Sequence, residues 1–154
     1  MKKKIVISLS VIIIAFTMLA GGFALWNSLT DYGHIIMLNW NLILPSESGY
    51  SEVYSKDSGA SFHGDGIRYH VFGYEEEDAI DEMVEWQSTE GRARFQETYA
   101  EAVTDWLDSI AVPEAERPDY AECSFWYQNK YGGDEMIVML DRNQKKLYVA
   151  EYFL

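Results

Sequence analysis

The run Phe62-His63-Gly64-Asp65-Gly66 sets an imidazole two positions from a carboxylate, with glycines between and after them. Glycine lets a backbone take φ > 0 and approach a ligand closely. His63 and Asp65 are therefore candidates for a general base with its orienting carboxylate, or for two metal ligands. Phe62, His63 and Asp65 form one candidate ligand-binding segment. A tight hairpin turn uses the same residue types, because a Gly-bounded Asp suits turn geometry. The turn is the simpler account, since no third catalytic partner can be picked out from spacing. No Lys-Ser/Thr follows the glycines, so the segment is not a P-loop. The other candidate is Trp126, whose parity in an expected strand opposes that of Phe125 and Tyr127. A ring so placed could stack on a sugar or on a protein partner. Aromatics make up 15 % of the chain, but apart from Trp126 and Trp86 they fall at spacings that suit a core.

Other chemistries find less support. His34, His63 and His70 show neither an HExxH pattern nor pairing with cysteines, which argues against zinc. His63 and His70, seven apart, would face opposite ways on a continuous strand. Asp57, Ser61 and Asp65 lack the spacing of an EF-hand loop. Glu75 to Asp78 could attract a cation, but four acids at a helix start are accounted for by the helix dipole. No Gly-x-Ser-x-Gly marks a serine nucleophile. Cys123 follows Glu122, an unfavourable neighbour for a thiolate, and its parity with Phe125 and Tyr127 places the thiol in the core. No catalytic residue, metal or cofactor is assigned.

The elements that must hold these residues follow from periodicity. Ile36, Leu38, Trp40, Leu42 and Leu44 recur at period two, so His34 to Leu44 is expected to be a strand. Pro45 to Gly49 breaks the pattern. Tyr50 to Tyr74 reads as a hairpin, with Tyr69, Val71 and Gly73 on one side of its second strand and His70, Phe72 and Tyr74 on the other. Ile80, Met83, Val84 and Gln87 define a short amphipathic helix. Phe95, Tyr99, Ala102, Val103, Trp106, Leu107 and Ile110 trace the apolar stripe of a second, ended by Pro113 and Pro118. Glu122–Lys130, Glu135–Asp141 and Lys146–Phe153 are three strand-length runs joined by short turns. Strands and helices in separate blocks predict an α+β domain whose antiparallel sheet, a hairpin plus a C-terminal three-stranded meander, packs on two helices.

The N-terminus places that domain. Lys2-Lys3-Lys4 precede an uncharged apolar run from Ile5 to Trp26. As a helix the run would be about 33 Å long, against a hydrocarbon core of about 30 Å. Lysines before the run, with no Lys or Arg close after it, predict a single-pass transmembrane helix with its N-terminus in the cytoplasm. A cleaved signal peptide ending at Gly22-Phe23-Ala24 is the competing expectation and would give a secreted protein. The expected organisation is residues 1–26 as tail and anchor, and 27–154 as one extracytoplasmic domain.

Twelve Lys and Arg stand against 25 Asp and Glu, a formal net charge of −13. Three of the lysines lie in the tail and every acid lies beyond residue 30, so the expected domain is more acidic still. Such a field repels nucleic acid and anionic headgroups and favours solubility. Phe62 to Gly66 and the strand Leu147 to Tyr152 resemble segments of small exported bacterial proteins in general character, which implies no family, activity or site residue. The function expected is a membrane-anchored, non-catalytic binding or interaction module with the membrane, through residues 5–26, and a protein as candidate partners. The alternative is a small exported hydrolase or metal-dependent enzyme centred on His63 and Asp65.

Overall fold

The alternating runs at the C-terminus become a meander. Its strands are β3 (Ser124–Asn129), β4 (Glu135–Asp141) and β5 (Lys146–Phe153) in the computed structural model, which describes residues 31–59, 64–87 and 98–154. Gly132 and Gly133 take positive φ between β3 and β4, where the Gly133 amide donates to the Lys130 carbonyl. Upstream, β1 (Ser51–Asp57) and β2 (Gly66–Gly73) form the hairpin. All four pairings are antiparallel, and the order is β1-β2-β5-β4-β3. Hairpin and meander are thus one five-stranded sheet, joined where β2 runs beside β5.

Register distributes the side chains. Tyr69, Val71, Ile137, Met139, Tyr148 and Ala150 are buried on one face. His70, Phe72, Met136, Val138, Leu140, Leu147, Val149 and Glu151 are buried on the other. The expected apolar helix spans Ala100–Ser109, with Val103 and Leu107 fully buried. Those two residues, with Ile110, Val112, Cys123 and Phe125, form one core cluster with the first face. Each fully buried aliphatic side chain there contributes about 1.5–3 kcal/mol. Phe95, expected on the same stripe, lies outside the described residues.

The edge strand β1 is mostly exposed and carries Glu52, Lys56 and Asp57. Its register shifts between Glu52 and Tyr54, which turns Glu52 to the face shared with Phe72 and Tyr54 to the face shared with Val71. A bulge and charges of both signs protect an edge from pairing with another chain.

Two expectations are corrected. His34 to Leu44 is not a strand: Tyr32–Trp40 is an α-helix, here α1. The Asp31 side chain caps it by accepting from the Gly33 amide, and Asn41 ends it at φ 56° with its amide donating to the Met37 carbonyl. Gly33, Ile36 and Trp40 are buried while Leu38 is 68 % exposed, so burial follows the helical period. The helix expected over Ile80 to Gln87 is also shorter: α2 covers only Glu77–Asp81. Beyond it the Trp86 indole N–H donates to the Ile80 carbonyl at 3.1 Å. The Gln87 amide donates to Phe125 in β3 at 3.0 Å. Those tertiary bonds draw the segment away from a helical path. With α1 and α2 named, the Ala100–Ser109 helix is α3.

The chain divides into two compact units, Met1–Ile43 and Leu44–Leu154. The sheet, α2 and α3 all belong to the second. No helix among the described residues is long and apolar enough to cross a membrane, and the Ile5 to Trp26 run lies outside them.

Candidate functional site

Two anchors position the site that contains Trp126. The Trp86 indole holds the chain that leaves α2, and the Gln87 amide ties it to the edge of β3. Between that segment and the strand lies a pocket of about 270 Å³ lined by Glu85, Gln87, Tyr99, Phe125, Trp126 and Tyr127. Phe125 is buried, and Tyr99, Trp126 and Tyr127 are half-buried; by register Trp126, opposite Val138, lies on the other face of β3 from Phe125 and Tyr127. Glu85 and Gln87 are exposed at the rim. Tyr99, just before α3, stacks on Tyr127 with ring centroids 4.7 Å apart. It meets Phe125 at a tilt, 6.1 Å between centroids. The Tyr127 hydroxyl donates to Glu135 Oε1 at 3.2 Å, across the β3–β4 pair. Burial, and then the Glu135 carboxylate, push that phenol up to about 12, so it stays a neutral donor. The pocket's surface is mixed, so it can offer a small group both aromatic and polar contacts.

The loop between β1 and β2 carries the other candidates. Phe62 and His63 lie outside the described residues. Asp65 lines a separate cavity of about 300 Å³ with Asp57, Ser58, Gly59, Gly64, Gly66, Ile67 and Arg68. Much of this polarity is engaged in holding the loop. Asp57 Oδ1 accepts from the Gly59 amide at 2.7 Å, and Ser58 Oγ accepts from the Ile67 amide at 3.0 Å. Gly66 sits at φ 136°, where a Cβ would collide with Ser58 Oγ, so a glycine is required at that position. Asp65 and Trp126 do not converge, because the hairpin and β3 stand on opposite sides of the sheet. Among the described residues no group of three His, Cys, Asp or Glu side chains is placed to hold a metal ion.

One polar pair escaped the sequence reading. His70 is only 7 % exposed on the second face of the sheet, and its Nδ1 lies 2.8 Å from Glu52 Oε1. The ring stacks on Phe72, 6.3 Å between centroids. Burial lowers the His70 pKa, and the bond to Glu52 and its charge oppose that shift. The pair fastens bulged β1 to β2. Its only signal in the sequence was an imidazole on an otherwise apolar parity. The pocket around Trp126 also recruits residues that spacing did not single out, since Glu85 and Tyr99 are remote from Trp126 along the chain. Set against protein-family models, curated proteins and solved structures, the chain matches none of them.

Proposed function

We propose that this chain is a membrane-anchored extracytoplasmic binding module, non-catalytic, with its ligand site in the aromatic pocket beside β3. Residues 5–26 would hold it in the cell membrane, N-terminus in the cytoplasm, and the acidic remainder would face outward and avoid nucleic acid. The observation that carries this reading is the pocket itself. Tyr99, Phe125 and Tyr127 from one face of β3, Trp126 of the same strand, and Glu85 and Gln87 border a concave site of mixed polar and apolar surface. Concave sites that combine aromatic side chains with a few polar groups are where small ligands commonly bind.

The test uses the full-length protein in detergent micelles with a broad panel of small neutral, cationic and anionic ligands, read by the Trp126 indole resonance and by thermal shift. At least one ligand class should move the resonance and raise Tm in the wild type, and Trp126→Ala should abolish both effects while the unliganded Tm stays close to wild type. Binding that survives Trp126→Ala but is lost in His63→Ala and Asp65→Ala would move the site to the β1–β2 loop and overturn this reading in favour of an enzyme or metal site there.

A further inference from the structure

The helix α1 is apolar on its exposed side as well as on its buried one. We infer that this exposed face, with Ile43 just beyond it, rests on the outer surface of the membrane, among the lipid headgroups and the upper acyl chains. The inference rests on the anchor proposed above for residues 5–26 and adds a second membrane contact to it.

Burial divides the helix. Gly33, Ile36 and Trp40 are buried at helical spacing. On the opposite side Leu38 is 68 % exposed, and His34 and Ile35, about one turn before it on the same face, are half-buried. Ile43, shortly after the Asn41 cap, is 65 % exposed. The water-facing side of a surface helix ordinarily carries charged and polar residues. Here no Asp, Glu, Lys or Arg occurs from residue 32 to residue 46. A stretch of that composition can leave water without desolvating an ion. Clustered exposed apolar surface marks a contact with a protein or with a membrane.

Reach selects the membrane. Only residues 27–31 separate Trp26, at the end of the uncharged run, from α1. Five residues span at most about 18 Å when fully extended, so a helix that follows an interfacial Trp26 starts close to the lipid. The anchor makes the contact intramolecular, and a small patch then suffices, because tethering raises the effective concentration of the two surfaces. A protein partner needs more, since a stable interface uses roughly 20–30 residues a side, whereas this face offers His34, Ile35, Leu38 and Ile43. Asp31, at the near end, is occupied in capping the helix, where its side chain accepts from the Gly33 amide at 3.1 Å.

The test places the full-length protein in phosphatidylcholine nanodiscs, a single chain per disc, and follows the methyl resonances of Leu38 and Ile43. One sample contains lipid spin-labelled high on the acyl chain, and another a water-soluble gadolinium chelate. Both methyls should relax several-fold faster beside the labelled lipid and be shielded from the chelate. Leu38→Asp, a change at an exposed position, should expose the Ile43 methyl to the chelate while Tm stays close to wild type. Methyls reached by the chelate and untouched by the lipid label, in a protein that remains in the disc, overturn the contact and leave the anchor in place. Methyls shielded from both overturn it too, because protein and not lipid then covers them. An Ile43 methyl that keeps its lipid relaxation in Leu38→Asp takes the α1 face out of the contact and overturns the inference. A protein that leaves the disc overturns the anchor and this inference together.

Discussion

His70 illustrates how one side chain can link the sheet to solution conditions. It faces Glu52 and Asp57 from β1, Arg68 on its own strand, and the apolar Val149 across the β2–β5 pair. Burial is the larger influence and holds the imidazole below its ordinary 6.5, while Glu52 pulls the other way. Between the lowered folded value and about 6.5 the unfolded chain binds more protons than the folded one, so stability rises with pH across that window. It is lost as pH falls through the folded value. The Tm of the wild type should therefore drop more steeply from pH 7 toward pH 5 than that of His70→Gln, and parallel curves would show that His70 does not contribute. Glu52→Gln removes the group that raises the imidazole, so the His70 titration followed by NMR should move lower still. An upward move would mean that the Glu52 contact does not persist in solution.

The helix α3 carries the central packing prediction among the secondary-structure elements. Leu107 is fully buried on it and Asp105 is exposed. Leu107→Ala should cost on the order of 2–5 kcal/mol in a denaturant titration, because it leaves a cavity in a close-packed core. Asp105→Ala should stay within about 0.5 kcal/mol. Equal costs would mean that the helix presents a different face. Trp106, which the apolar stripe also placed inward, is only half-buried and stacks on Tyr152 at 5.4 Å, so the deepest packing falls to Val103 and Leu107. The meander and the hairpin were legible because alternation and glycine turns are local signals. In the segment from Tyr32 to Trp40 two periods overlap, so alternation suggests a strand where the chain is a helix. Ile36 and Trp40 satisfy both, and only the exposure of Leu38 separates them. Cap chemistry marks the difference: Asp31 at the start and Asn41 in a left-handed conformation at the end are helix boundaries. Nothing local announces that Trp86 and Gln87 will bond to distant carbonyls and cut α2 short, because that choice is made by tertiary contact. For the same reason the parity of Trp126 was readable but the pocket around it was not.

At the scale of the whole molecule, the sheet in the described residues is buried on both faces, and the prediction that remains concerns the N-terminal segment. The lysines at positions 2 to 4 and the uncharged run from Ile5 to Trp26 predict retention, because translocation disfavours moving clustered cations outward. In membrane fractions the full-length protein should resist carbonate extraction. Protease added from outside should remove the chain beyond Trp26 while a tag placed before Met1 stays protected. Replacing Lys2, Lys3 and Lys4 by Gln should therefore weaken the orientation bias, with a fraction of tags becoming accessible to external protease. A soluble mature protein beginning near Leu25 would instead identify the run as a cleaved signal peptide, and the binding module would then act after release from the membrane.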